Sequence, residues 1–218
     1  KDLCHPRRGN SMKYASLMVS VLFALLAQSA SAQETLLLRQ PDISAEHIAF
    51  VYAGDIWVAG RDGSNARRLT SSPAEENSPK FSPDGSKIAF AAQYENNTDV
   101  YVLDVVGGQP SRLTWHPGAD TPNGWTSDGS RVAFISARET DHGRSGQLYL
   151  ASIDGGLPEK QMDARMTTAV YDGAGERLAF SPFRAAYNGL FGGTSGWKGY
   201  RGGSAPPVQI MDLSADSV

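Results

Sequence analysis

Few of the serine, histidine and acidic side chains in these 218 residues stand in a pattern that does chemistry. Gly193-x-Ser195 resembles the start of a G-x-S-x-G nucleophile turn, but the fifth position is Trp197 and no strand-to-helix pattern surrounds it. Ser145, in Gly143-Arg144-Ser145-Gly146, is off that pattern too. The four histidines, His5, His47, His116 and His142, are far apart and lack H-x-x-x-H spacing, so they read as solvated turn residues. Glu75-Glu76 lies in a polar stretch and reads as a solvated edge rather than an acid/base pair. The Asp-Gly pairs do not form a D-x-[DN]-x-[DN]-G calcium loop, and no Gly-rich phosphate loop occurs. The expectation is therefore no catalytic residue, no metal ligand and no cofactor site.

One stretch remains a candidate. From Arg184 to Ala205 the text is RAAYNGLFGGTSGWKGYRGGSA, with Gly193, Gly196, Gly199 and Gly202 at every third position. Among them stand Trp197, Lys198, Tyr200 and Arg201. Without proline the spacing is not collagen. RGG-like aromatic text can bind single strands, but the overall charge opposes this. The segment is expected either to fold over the edge of its own sheet or to line a ring opening or contact another domain, since long ordered loops are usually functional.

The elements that must carry these residues repeat. Phe81–Thr114 reads FSPDGSKIAF, a polar gap, then DVYVLDVVGGQPSRLT: strand, Asp-Gly turn, strand, loop, strand, Gly-Gly turn, short strand. The unit recurs as PDISAEHIAF with DIWVAGRDGSNARRLT, as WTSDGSRVAF with QLYLASIDGGLPEKQM, and as YDGAGERLAF with VQIMDL. The "-AF" strands begin at Ile48, Ile88, Val132 and Leu178, steps of 40, 44 and 46. The strands after them begin at Asp55, Asp99, Gln147 and Val208, steps of 44, 48 and 61. A period of roughly 40–45 residues with four strands per unit is that of a β-propeller blade.

The strand faces agree. In KIAFAA, Ile88 and Phe90 share one face and Ala89 and Ala91 the other; in DVYVLD the pairs are Val100/Val102 and Tyr101/Leu103. Sheets with one solvated face alternate apolar with polar, whereas two apolar faces suit a blade sandwiched between neighbours. In the turn Ser82-Pro83-Asp84-Gly85, proline presets φ, the aspartate bonds the backbone ahead and glycine accepts positive φ. The expected fold is an all-β propeller of four-stranded antiparallel blades, an incomplete ring of about three and a half. Blades are expected at about 36–70, 77–114, 122–162 and 168–218, the last incomplete and interrupted by the Gly-rich insertion 183–206.

Residues 1–32 form a separate leader. Met12-Lys13 opens an apolar run to about Ala27 that ends Gln28-Ser29-Ala30-Ser31-Ala32, the pattern of a secretory signal cleaved before Gln33. The run falls short of the about 20 apolar residues of a membrane span, so export, to a periplasm, is expected over stable membrane insertion. The only cysteine, Cys4, lies in the leader, so the mature part rests on core packing rather than disulfides. The leader holds Lys1, Arg7, Arg8, Lys13 and Asp2, which leaves 16 basic and 22 acidic groups, net −6, in the remainder. Nucleic-acid affinity rests largely on phosphate neutralisation, so that balance argues against such a partner.

The repeated x-S-P-D-G-x-x-[IVL]-A-F text resembles the WD-like repeats of TolB, of prolyl oligopeptidase relatives and of tricorn-type peptidases. Arg39–Ser44 (RQPDIS) and the W-K-x-Y-R-G-G element at Trp197–Gly203, followed by an Asp-Leu strand, are similar to the N-terminal propeller of bacterial tricorn-like serine peptidases. That resemblance, over about Leu36–Leu213, implies a propeller that filters or guides peptides toward a catalytic core further along the chain. It implies peptides or proteins and the chain's own downstream domains as partners, with a homo-oligomer left open, and no position here matches the family's catalytic residues. A non-enzymatic TolB-like protein-binding propeller is the alternative.

Overall fold

The computed structural model describes residues 37–140, 145–182 and 208–213. Two compact units divide the chain, Lys1–Leu36 and Leu37–Val218, and every described residue belongs to the second. The leader expectation and the candidates Trp197, Lys198, Tyr200 and Arg201 lie outside the described residues, as do His5, His142 and Ser195. No helix among the described residues is long and apolar enough to cross a membrane.

Among the described residues, fifteen strands form four antiparallel sheets. Sheet one holds β1 (Arg39–Ile43), β2 (His47–Tyr52), β3 (Asp55–Gly60) and β4 (Arg67–Arg68) in sequence order. Sheet two holds β5 (Glu76–Phe81), β6 (Lys87–Ala92), β7 (Asp99–Asp104) and β8 (Ser111–Arg112). Sheet three holds β9 (Asp120–Trp125), β10 (Arg131–Ser136), β11 (Gln147–Ser152) and β12 (Glu159–Lys160). Sheet four holds β13 (Met166–Tyr171), β14 (Arg177–Pro182) and β15 (Gln209–Asp212). The four "-AF" strands are thus the second strands of successive sheets, as their spacing predicts. The first strands, β1, β5, β9 and β13, pack on one another in turn, so they form the inner wall of an arc of propeller blades.

Sheets two and three are each a slab between two cores, and sheets one and four each pack one face against a neighbour. Phe90, Ile88, Tyr101 and Leu103 pack on Ala49, Val51, Ile56 and Val58 of sheet one. The opposite face, Ala89, Val100 and Val102, packs on Val132, Phe134 and Tyr149 of sheet three. Leu148, Leu150 and Ala133 then meet Met166, Leu178 and Phe180 of sheet four. An aromatic pair recurs on the face toward the preceding sheet: Phe90 stacks on Tyr101 at 6.0 Å and Phe134 on Tyr149 at 5.7 Å. Both phenylalanines are fully buried, and each contributes about 1.5–3 kcal/mol of hydrophobic stabilisation.

The turns between first and second strands stack in file. Ser86 N donates to Asp84 Oδ1 at 3.1 Å and Ser130 N to Asp128 Oδ1 at 3.0 Å, so the aspartates do bond the backbone ahead. Gly85 (φ +71) lies against Ser44 of the preceding turn, Gly129 (φ +70) against Pro83, and Gly175 (φ +74) against Ser127. Glycine therefore serves twice here: it accepts the left-handed φ, and its missing side chain lets consecutive blades approach.

Candidate functional site

The opposite end of the sheets, where second strands pass to third strands, gathers the polar chemistry of the chain. The stretches between second and third strands start and end there: 53–54, 93–98, and two longer ones bounded by Ser136 and Gln147 and by Pro182 and Gln209. The Gly-rich insertion is rooted on this rim, because β14 and β15, which flank it, pair there through Phe180 and Gln209.

First strands also begin at this rim, each held by a backbone bond to the loop of the preceding sheet. Glu76 N donates to Gly54 O at 2.9 Å, Asp120 N to Thr98 O at 2.8 Å and Met166 N to Gly146 O at 2.8 Å. Glu76, Asp120 and Met166 are therefore equivalent positions, and all three are fully buried. This corrects the expectation for Glu75-Glu76. Glu75 is exposed as expected, but the bond to Gly54 draws Glu76 beneath the rim, where it faces donors rather than water.

In the first seam, Glu76 accepts from Thr70 Oγ1, from Tyr94 Oη at 2.6 Å and from Ile56 N at 3.3 Å. Thr70 Oγ1 in turn accepts from Ile56 N at 2.9 Å. Burial pushes the Glu76 carboxyl above its usual range; the bonds from Thr70, Tyr94 and Ile56 oppose this, and nearby Asp55 adds to it. Burial, with Glu76 beside it, likewise raises the Tyr94 phenol. Asp55 pairs with Arg68 at 2.8 Å.

The second seam repeats the plan. Asp99 pairs with Arg112 at 2.7 Å, and Thr114 Oγ1 accepts from Val100 N at 3.0 Å. Asp120 pairs with Arg138 at 2.7 Å, and the Arg138 guanidinium lies 5.2 Å from the Phe134 ring and 4.7 Å from the Tyr149 ring. Above these buried groups the surface is aromatic and charged. Exposed Trp115 sits 5.7 Å from the Arg112 guanidinium, which also binds Glu95 at 2.5 Å. His116 Nδ1 accepts from Gly118 N at 2.9 Å. Lys160 bridges Asp163 and Glu139, and the two carboxylates hold its ammonium above the usual range.

Among the described residues no cluster of three or more His, Cys, Asp or Glu side chains is arranged to hold a metal ion. Among the described residues, Ser145 Oγ is buried without a hydrogen-bond partner. The described part of the rim presents an aromatic face at Trp115 and paired charges at Arg112–Glu95 and Lys160–Asp163 on a sheet scaffold. The buried acid nodes escaped the residue-type reading. The signal was present in the recurring Arg-Leu-Thr at Arg68–Thr70 and Arg112–Thr114, each followed at one spacing by an acid, Glu76 and Asp120.

Stacked four-stranded sheets with their first strands lining a common inner wall define a β-propeller of the TolB/tricorn type. Residues 35–218 match the model of the tricorn protease N-terminal beta propeller domain, and the chain belongs to that family. A 68-residue stretch is 35% identical to tricorn protease homolog 1 of Streptomyces coelicolor, covering 31% of this chain and 6% of that protein. A 61-residue stretch is 39% identical to a TolB homolog of Chlorobium luteolum, covering 28% of this chain and 14% of that protein. These matches thus span a small part of each relative's length. Two solved structures share the fold. TolB from Acinetobacter baumannii superposes with a TM-score of 0.62 at 22% identity, over 81% of this chain and 41% of that one. The tricorn protease superposes with a TM-score of 0.58 at 23% identity, over 66% of this chain and 15% of that one.

Proposed function

We propose that this chain is the leading propeller segment of an exported tricorn-like serine peptidase, and that its loop rim filters or guides peptides toward a catalytic core carried further along the protein. Membership of the tricorn N-terminal propeller family over residues 35–218 carries the reading. The insertion with Trp197, Lys198, Tyr200 and Arg201 is rooted on the rim that already presents Trp115 and the loops 93–98 and 137–146. An aromatic and basic segment whose flanking strands end at such a rim suits contact with an extended peptide or with a neighbouring domain. The leader's basic start, apolar run and A-x-A ending support export with cleavage before Gln33.

Sheet four supports continuation of the ring. Val170, Ala179 and Ile210 stand in one row across its three strands, and Val170 and Ile210 are exposed. The equivalent Ala133 and Leu150 of sheet three are buried beneath sheet four. A further sheet of the same kind covers the row in the intact protein.

A second reading, a non-enzymatic TolB-like propeller that binds proteins, is favoured by the likeness to TolB sequence and structure. The test uses the full-length gene product, with and without alanine at Trp197, Lys198, Tyr200 and Arg201. A serine-reactive fluorophosphonate and peptides of two lengths are the probes. The first reading expects labelling and turnover of both peptides, with the variant losing turnover of the longer peptide while labelling persists. No labelling and no turnover by the unaltered protein would overturn it in favour of the second.

A further inference from the structure

The chain contains three versions of one seam node, and their differences point to a buried ligand. In the first seam Thr70 donates directly to Glu76. In the third, Met162 and Met166 stand at the equivalent positions, and the seam is closed by apolar contact. In the second, Thr114 and Asp120 stand there, and aspartate is one methylene shorter than glutamate. The backbone bond that positions Glu76 is reproduced at Asp120, so the register that sets Glu76 on Thr70 sets Asp120 opposite Thr114. The shorter side chain reaches Arg138 with Oδ2, while Oδ1 is buried with no partner among the described residues. Thr114 directs its proton to Asp99 Oδ1 at 3.2 Å rather than to Asp120.

The result is spare acceptor capacity at two buried positions of one seam: Asp120 Oδ1, which no described donor reaches, and the remaining lone pair of Thr114 Oγ1. We infer that the seam between sheets two and three binds one water molecule, which donates a hydrogen bond to each. Two observations select water over an ion. Asp120 is already neutralised by Arg138, and Asp99 by Arg112, so the site has no charge left for a cation. Both open groups are acceptors, which excludes an anion. A buried unpaired acceptor costs about 1–3 kcal/mol, and buried waters typically repair such groups with two to four hydrogen bonds.

The test is a crystal structure of the full-length protein, at a resolution that shows ordered water, together with Asp120→Glu and the reciprocal Glu76→Asp. The expected result is one ordered oxygen bonded to Asp120 Oδ1 and Thr114 Oγ1. It should be displaced by the longer side chain in Asp120→Glu, and a new one should appear beside Thr70 in Glu76→Asp. If Asp120→Glu fails to crystallise, Thr114→Val serves, since removing the hydroxyl should empty the site. The inference is overturned if the unaltered protein shows no oxygen there, if a protein donor occupies Asp120 Oδ1, or if the water persists beside the longer side chain.

Discussion

Gln40 and Ser78 sit at the bulges of consecutive inner strands, and the Gln40 side-chain oxygen accepts a hydrogen bond from Ser78 N at 2.8 Å. Both residues have positive φ, Gln40 at 50° and Ser78 at 55°, which is unusual outside glycine. A bulge leaves one residue out of the ladder and re-aims its groups; here the freed N–H of one blade is satisfied by the previous blade. Asp42 does the same for Phe81 N at 2.7 Å, and Trp125 Nε1 donates to Lys80 O at 2.9 Å. The inner wall is therefore stitched from sheet to sheet by side chains. Because the Gln40 bond is exposed, Gln40→Ala should lower the unfolding free energy by only about 0.5 kcal/mol, and Asp42→Ala, which removes a charged acceptor, by about 1.5 kcal/mol or more. Denaturant titration of the two variants should preserve that order.

The stacked turns give a sharper contrast. A Cβ on Gly175 would lie 2.4 Å from Ser127 Oγ and 3.1 Å from Ser127 Cβ, at φ +74. A Cβ on Gly155, at φ +95, meets nothing within 4 Å. Gly155→Ala should cost the left-handed penalty alone, about 1–2 kcal/mol. Gly175→Ala should cost more, because the turn must also move off Ser127. Equal losses in thermal unfolding would show that the turns do not stack as described.

The propeller was legible in the sequence because its faces follow a period of two and its turns are chemically marked. Ile88 and Phe90 against Ala89 and Ala91 declare a slab with two apolar faces, and Pro83-Asp84-Gly85 declares the hairpin. The bulges were not legible, since Gln40 and Ser78 precede Pro41 and Pro79, and a residue before proline is ordinarily extended. Glu76 was misread for a related reason. A Glu-Glu pair in a polar run says nothing about burial, which is imposed by the Gly54 carbonyl and the Thr70 and Tyr94 hydroxyls of other segments. Trp197, Lys198, Tyr200 and Arg201 lie outside the described residues; the strands that flank them pair through Phe180 and Gln209.

Acid titration should show two contributions of opposite sign. Asp84 and Asp128 are held at about 2, chiefly by hydrogen bonds from Ser82 and Thr126. A depressed carboxyl stabilises the fold above its unfolded value and loses that contribution as pH falls through the folded one, so these two weaken the protein between about 4 and about 2. Glu76 is raised by burial. Its contribution is complete below the unfolded value, 4.5, and is lost as pH rises through the raised one. Asp84→Asn should flatten the limb below about 4, and Glu76→Gln the decline above 4.5. The unfolding free energy against pH, with Glu76→Gln still declining above that point, would assign the decline elsewhere.

The third seam supplies a template for rebuilding the first. At the positions of Thr70 and Glu76 it carries Met162 and Met166, the latter fully buried. Glu76→Met alone leaves the Thr70 and Tyr94 hydroxyls facing an apolar group, and should cost about 1–3 kcal/mol for stranded polar groups. Thr70→Met alone crowds a buried carboxyl and removes one of its donors, which is costlier because charge is involved. Together the two changes replace a polar node with a packed apolar pair, an exchange that is often neutral or stabilising when both partners go. The double variant should therefore be more stable than either single one, with a coupling of about 1–3 kcal/mol in a double-mutant cycle. Tyr94 sets the limit, because its hydroxyl loses Glu76 in every version; adding Tyr94→Phe should recover part of the remaining loss. Strict additivity of Thr70→Met and Glu76→Met in chemical unfolding would mean that the two residues do not act as one node, and that the register linking the three seams has no energetic content.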